Sequence, residues 1–253
     1  MAEPRELAVA VLAAGQGKRM GNPELAKVLA PLHGRPLLGY VLEQASELNP
    51  SHIVVIVGHQ REAVKTFIDT TFPAALCVVQ EQQLGTGHAV QQTARYLKNL
   101  DADVIILSGD VPLLRSSTLS DLVTRHRRTR AVATVLTAVV PDPTGYGRII
   151  RNHDGNLVAI VEQKDASAQQ LAIKEINSGV YIVRGKELFD ALSMVQNVNA
   201  QSEFYLTDII GILQRQHFVV EAWCARLWEE LHGINTIDDL NRAAQIMTEM
   251  STT

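Results

Sequence analysis

Five short apolar runs, each closed by a polar or glycine-bearing loop, set the strongest constraint on what this chain folds into. They are Leu7 to Ala13, Ile53 to Val57, Leu76 to Val79, Val104 to Leu107 and Val132 to Val139. Runs this short, without the alternation of a half-wet strand, are the pattern of strands buried on both faces of a parallel sheet. Helical spacing fills the intervals. Leu37, Leu38, Val41, Leu42, Ala45 and Leu48 give one apolar face to a helix that starts at Pro36 and is stopped by Asn49-Pro50. Further helices are expected over Gln60 to about Asp69, Gly87 to about Lys98 and Ser117 to Arg128. Repeated strand-loop-helix units favour right-handed crossovers, so the fold class is α/β, a Rossmann-like, mostly parallel sheet with helices on both faces.

The rhythm changes after Val139. Arg148 to Arg151 and Leu157 to Glu162 read as a hairpin across the four-residue connection Asn152-His153-Asp154-Gly155. Glu175 to Val183 reads as a strand interrupted at Ser178-Gly179, followed by a helix on Leu188, Leu192 and Val195, another starting at Thr207 or Asp208, a late strand over His217 to Trp223 and a terminal helix over Ile237 to Met250. No linker cuts the 253 residues. We expect one domain with a mainly nucleotide-binding part (1–114), a mainly substrate-side part (115–235) and a C-terminal helix (236–253).

Composition removes whole classes of function. With 23 Lys+Arg against 27 Asp+Glu the formal charge is −4, which disfavours a protein that coats nucleic acid or anionic membrane. The first ten residues lack a cationic start, and no run approaches the roughly 20 apolar residues of a membrane span, so the expectation is a soluble, cytoplasmic chain. Cys77 and Cys224 have no Cys or His at metal-ligand spacing and read as buried or semi-buried free thiols. Arg125, Arg127, Arg128 and Arg130 read as a solvated helix end, and His59, His88 and His126 as structural or peripheral.

The chemistry sits in the loops after the strands, where open parallel sheets bind ligands. Leu12-Ala13-Ala14-Gly15-Gln16-Gly17-Lys18-Arg19-Met20 offers tight-turning glycines, backbone donors and two cations to an anion. It is neither a dinucleotide fingerprint, since Met20 stands where the third glycine belongs, nor a Walker loop. By itself it is either an anion loop or an ordinary turn. Lys27 reads as an ammonium folded over polyphosphate or as a surface lysine before Val28-Leu29. Gln80 to Gly87 supplies carboxamides able to meet a base edge, with Gly85 allowing close approach. Asp110, freed by Gly109, suits a hard cation such as Mg²⁺ or a turn cap. Glu162, Asn177 and Asn235 are isolated polar residues at strand ends.

Eight ordered motifs give these residues a common setting: Leu12 to Met20 with Lys27-Val28-Leu29; Gln80 to His88; Gly109 to Leu113; Asp142 to Ile149; Ile160 to Glu162 with Lys164-Asp165-Ala166; Glu175-Ile176-Asn177 with Gly179; Asn199-Ala200-Gln201 with Tyr205 to Asp208; and Gly233-Ile234-Asn235. In this order they resemble the uridylyltransferase half of the bacterial bifunctional N-acetylglucosamine-1-phosphate uridylyltransferase and glucosamine-1-phosphate acetyltransferase family, within the sugar nucleotidyltransferases. The resemblance implies the nucleotide-diphospho-sugar transferase fold. It implies Mg²⁺-dependent joining of UTP and N-acetylglucosamine 1-phosphate into UDP-N-acetylglucosamine and pyrophosphate, a step toward peptidoglycan and the cell wall.

By the same resemblance Leu12, Ala13, Ala14, Gly15, Gly17, Arg19 and Lys27 hold the nucleotide, while Gln80, Gln83, Gly85 and Thr86 recognise its base. Asp110 and Asn235, 125 positions apart, hold Mg²⁺. Gly147, Glu162, Asn177, Tyr205 and Thr207 form the sugar-phosphate side, and Arg19, Lys27 and Asp110 carry catalysis. Four positions depart from the family pattern: Ser108 replaces a tyrosine, Ala26 a proline, Ala30 a histidine and Ser202 a glycine. Only three residues follow Met250, so the acetyltransferase β-helix is expected to be absent and the chain a monomer or weak homo-oligomer. Two rivals remain: transfer of a uridylyl or thymidylyl group to another sugar 1-phosphate such as glucose 1-phosphate, and a non-catalytic nucleotide-sugar binder, which the Lys27, Asp110 and Asn235 set disfavours.

Overall fold

The computed structural model describes residues 5–17, 20 and 25–251. Its strands are β1 (Glu6–Ala13), β2 (Pro31–Leu32), β3 (Arg35–Pro36), β4 (His52–Val57), β5 (Leu76–Val79), β6 (Ala102–Ser108), β7 (Ala133–Val139), β8 (Arg148–Arg151), β9 (Leu157–Val161), β10 (Glu175–Arg184) and β11 (Val220–Cys224). The α-helices are α1 (Leu37–Glu47), α2 (Arg61–Thr71), α3 (Thr86–Gln91), α4 (Ala94–Leu97), α5 (Ser116–Thr129), α6 (Ala168–Leu171), α7 (Gly185–Leu192), α8 (Asp208–Arg215) and α9 (Ile237–Ser251).

One continuous sheet runs β11-β7-β10-β6-β1-β4-β5, and the β8–β9 hairpin hangs from the Asn177 end of β10. Strands β5, β4, β1 and β6 are parallel, as are β7 and β11, while β10 alone runs antiparallel to both its neighbours. The expected mostly parallel mixed sheet is present. Because β10 is reversed, its beginning, with Asn177, lies at the edge where the other strands end.

Period-two alternation sends successive strand residues to opposite faces. Ala8, Ala10, Val54, Ile56, Val104, Ile106 and Tyr181 join Leu188, Ile209 and Leu213 of α7 and α8 in one core. Val9, Val11, Val55, Val57, Ile105, Leu107 and Ile182 join Leu38, Val41, Leu42, Val64, Ile68, Leu119 and Leu122 of α1, α2 and α5 in the other. A smaller cluster of Leu32, Leu37, Leu113, Ile234 and Ala243 fastens α9 near the carboxyl edge of the sheet.

Several expectations need correction. The helix expected over Gly87 to Lys98 is broken into α3 and α4, because buried Thr93 turns its hydroxyl onto Val90 O at 2.7 Å and competes with the helical ladder. The hairpin loop holds five residues, 152–156, since Asn152 Oδ1 accepts the backbone N–H groups of Asp154 and Asn156 and delays the return strand. The interruption in β10 is a register shift between Asn177 and Val180, with Gly179 at φ 81°. Cys224 is exposed at the end of edge strand β11. Arg127 is no freely solvated cation, for its Nε donates to the buried Asp103 carboxylate at 3.2 Å. No helix among the described residues is long and apolar enough to cross a membrane.

Candidate active site

A cleft lies over the carboxyl ends of β1, β5 and β6. Leu12, Ala13, Ala14, Gly15, Lys27, Gln80, Gln83, Gly85, Thr86 and Asp110 all line it. Of the remaining nucleotide-side expectations, Arg19 lies outside the described residues and Gly17 is beside the cleft. Gly17 has φ 60°, and a Cβ there would come within 2.6 Å of Lys27 Cβ. Its role is to let the first loop press against the lysine stem. Only glycine does this without strain.

Lys27 begins a single 3-10 turn, Lys27–Leu29, fixed by Ala30 N donating to Lys27 O at 3.0 Å. Its side chain is 13% exposed, so the surface-lysine alternative fails. The ammonium donates to Asp110 Oδ2 and, at 3.1 Å, to Asn235 Oδ1. Two loops far apart in sequence are thereby joined through one cation. Asp110 follows the end of β6, and its carbonyl accepts Ile234 N at 2.9 Å, which brings the 233–235 segment alongside. Asn235 is oriented from behind: Nδ2 donates to Gly233 O at 3.2 Å, and the backbone N–H donates to Asp239 Oδ2 at 2.9 Å. Burial pushes the Asp239 carboxyl up, but donors from Asn235, Thr236 and His232 outweigh that and hold it below its ordinary range.

The base-side loop is locked by its own amides. Gln80, 4% exposed, donates through Nε2 to Gly85 O and His88 Nδ1, both at 3.0 Å, and Gln83 Nε2 donates to Ala14 O at 2.9 Å. Both carboxamide nitrogens are thus engaged inside the protein. Gly85 has φ 113°, and a Cβ on it would stand 2.6 Å from Phe204 O. That proximity reflects a backbone join: Phe204 N donates to Leu84 O at 2.8 Å, Gly87 N to Phe204 O at 2.8 Å, and Leu206 N to Thr86 Oγ1 at 3.0 Å. The same join delivers Glu203 to the cleft wall. Sequence reading missed the bracing role of His88, which lies inside a quoted motif, and Glu203, which falls between Asn199-Ala200-Gln201 and Tyr205.

The sugar-side residues contact one another rather than line this cleft. Asn177 N donates to Gly147 O at 2.9 Å, a Cβ on Gly147 would stand 3.5 Å from both Glu162 carboxylate oxygens, and Thr207 Oγ1 donates to Glu162 Oε1 at 3.3 Å. Burial pushes the Glu162 carboxyl up against the Thr207 hydrogen bond, and the nearby Asp165, Asp208 and Glu203 charges add to the rise. Tyr205 is buried with its hydroxyl donating to Asp165 Oδ2 at 3.2 Å. A step from Asn177 through Gly179, whose missing Cβ would lie 3.2 Å from Ser108 Oγ, leads back to the nucleotide cleft.

A family model described as the MobA-like NTP transferase domain matches residues 9–231, a span that takes in most of β1, Lys27, Asp110 and the whole sugar side. The chain belongs to the MobA-like NTP transferase family. Within this family's setting, the chain is 47% identical over 237 residues to the bifunctional protein GlmU of Limosilactobacillus reuteri, covering 94% of this chain and 51% of that protein. It is 45% identical over 251 residues to the bifunctional protein GlmU of Corynebacterium aurimucosum, covering 98% and 51%. The resemblance drawn from the motifs is borne out, and the chain spans about half the length of the curated relatives it matches. In fold it is similar to a UDP-glucose pyrophosphorylase complexed with UDP-glucose, with TM-score 0.75, 15% identity and coverage of 96% and 98%. HddC from Yersinia pseudotuberculosis gives 0.69, 19%, and coverage of 95% and 99%. At these identities the two structures speak for the NTP transferase fold alone.

Proposed function

We propose that this domain transfers UMP from UTP to N-acetyl-α-D-glucosamine 1-phosphate, giving UDP-N-acetylglucosamine and pyrophosphate, with Mg²⁺ as cofactor. The observation that carries the reading is the meeting of the β1 loop, the Gln80 to Thr86 loop, Lys27, Asp110 and Asn235 at one sheet edge. The 45–47% identity to bifunctional GlmU proteins directs it toward this nucleotide and sugar. Residues 1–114 would serve mainly the nucleotide and 115–235 mainly the sugar phosphate, on one continuous sheet.

The donor set fits Mg²⁺. One carboxylate and one amide oxygen, both hard, already converge on a cation in the form of the Lys27 ammonium. Among the described residues no group of three or more His, Cys, Asp or Glu forms a metal cage. Mg²⁺ is commonly held by one or two such oxygens with water and substrate phosphates. Asp110 and Asn235 would hold it, and when bound it supplies neutralisation of charge between two anionic substrates.

The reaction needs no protein nucleophile. A phosphate oxygen of the sugar phosphate forms a bond to the α-phosphorus of UTP as the bond from that phosphorus to pyrophosphate breaks. The chain's task is to bring two anions into line. Lys27 and the backbone N–H groups near Gly15 would receive triphosphate oxygens, with Arg19 assigned to the same task by family resemblance. The carboxamide oxygens of Gln80 and Gln83 would accept from the base. Glu162, Asn177 and Thr207 would orient the sugar, with Gly147 leaving it room and Tyr205 bracing the wall.

The test crosses UTP, dTTP, CTP and GTP with N-acetylglucosamine 1-phosphate, glucosamine 1-phosphate and glucose 1-phosphate, and measures nucleotide-sugar formation with and without Mg²⁺. UTP with N-acetylglucosamine 1-phosphate is expected to give the highest kcat/KM. Preference for another pair would move the assignment to another sugar nucleotidyltransferase. Binding without pyrophosphate release under any pair would reduce the domain to a nucleotide-sugar sensor.

A further inference from the structure

Lys27 occupies the place where a metal ion would sit. Its ammonium takes Asp110 Oδ2 and Asn235 Oδ1 together, the two oxygens assigned above to Mg²⁺. Protein contacts of their own hold these oxygens in position. Asn235 is turned by its own contacts to Gly233 O and Asp239, and Asp110 is tied through its carbonyl to Ile234 N. An ammonium and a divalent cation repel each other and cannot share one pair of oxygens. The metal therefore enters only if Lys27 leaves.

The lysine is built to leave. Its backbone is fixed in a 3-10 turn under the Gly17 contact, whereas its head sits on a flexible four-carbon stem at the wall of an open cleft. The nucleotide reading above puts a triphosphate in that cleft, the partner with enough negative charge to draw the ammonium over.

We propose that Lys27 is an internal stand-in cation. In the nucleotide-free enzyme it neutralises Asp110 and closes the metal site, and transfer of its ammonium to the triphosphate opens that site. The inference rests on the assignment of Asp110 and Asn235 as metal ligands. It adds that free enzyme binds metal poorly, and that nucleotide and metal each strengthen the other's binding by the same factor.

The experiment is a Mn²⁺ titration of the nucleotide-free protein, read by loss of the free-ion electron paramagnetic resonance signal. The samples are wild type, Lys27→Met, Lys27→Gln, Asp110→Asn and the Lys27→Met/Asp110→Asn double variant, with circular dichroism and thermal unfolding as checks of folding. Both Lys27 variants are expected to bind Mn²⁺ at least tenfold more tightly than wild type, and the double variant is expected to lose the gain. Lys27→Gln guards against a Lys27→Met protein that fails to fold. Folded Lys27 variants with wild-type or weaker affinity would overturn the stand-in role, as would a gain that persists in the double variant.

A parallel titration with UTP present separates the two readings. If Asp110→Asn lowers Mn²⁺ uptake there while the Lys27 variants show no gain without nucleotide, the metal assignment stands and the stand-in role falls. If Asp110→Asn changes uptake in neither titration, both fall.

Discussion

Strand β6 has an aspartate near each end, and the structure treats the two in opposite ways. At the amino end Asp103 is 2% exposed, receives Arg127 Nε at 3.2 Å and faces His126 Nε2 at 3.7 Å, within a packed sheet. Beyond the carboxyl end Asp110 is also paired with a cation, but the pair faces a cleft and shares its lysine with an amide. The first pair has a rigid, forked guanidinium that is also tied to Arg5 O at 2.7 Å, over a buried carboxylate. The second has a flexible ammonium and an open wall. A buried ion pair therefore does not mark a site by its charges alone. What separates the two is whether one partner can be exchanged for a ligand.

The sharpest way to break this contrast is Asp110→Ala. Pyrophosphate release from UTP and sugar phosphate should fall by about 100-fold or more, while the unfolding free energy changes by no more than about 1 kcal/mol. A coupled pyrophosphate assay and urea unfolding measure the two sides, and near-wild-type turnover would make Asp110 merely another Asp103. The reverse pattern is expected for Asp103→Ala. It leaves Arg127 and His126 without their carboxylate and should cost about 3 kcal/mol of stability, with turnover per folded molecule unchanged.

The same residue carries a pH signature. Burial pushes the Asp103 carboxyl up, but the hydrogen bonds and charges of His126 and Arg127 more than reverse this and hold it below the usual carboxylate range. A lowered folded-state value means that its stabilisation is complete above about pH 4 and is lost as pH falls through the folded value. Urea midpoints of wild type and Asp103→Asn should therefore converge on acidification below pH 4 and stay apart at pH 7.

Two smaller changes refine the picture of the open end. Gly85→Ala places a methyl against Phe204 O at a left-handed φ, so a loss of about 1–3 kcal/mol is expected together with a raised KM for UTP. Thr207→Val removes the donor to Glu162 and should cost about 1 kcal/mol, raising KM for the sugar phosphate a few-fold with little change in kcat. An unchanged KM for the sugar phosphate would remove Thr207 from the sugar side.

Much of the carboxyl edge was legible in the sequence because its chemistry is local. Short apolar runs give strands, and the loops directly after β1, β5 and β6 carry the glycines, glutamines and Asp110. The C-terminal half was harder. Several of its pieces meet through contacts such as Phe204 with Leu84 and Gly87, or Ile234 N with Asp110 O, made by backbone groups that any residue would supply. Glu203 escaped for that reason. Arg127 was misread because a run of arginines at a helix end has the pattern of a wet surface, and only the packing of α5 on the sheet brings the buried Asp103 within reach. The shared hold of Lys27 on Asp110 and Asn235 was equally invisible, since spacing along a chain carries no information on which of three assigned roles exclude one another.

The backbone join between residues 84–87 and 204–206 has a consequence for anyone wishing to redesign the acceptor preference. The strip that carries Tyr205 and Thr207 is stitched, by main-chain hydrogen bonds and by Leu206 N donating to Thr86 Oγ1, to the strip proposed to meet the base. A chimera that imports a new sugar half while keeping the host's Gln80 to Gly87 would tear that seam. The two segments form one graftable cassette, and successful domain shuffling in this scaffold should exchange them together.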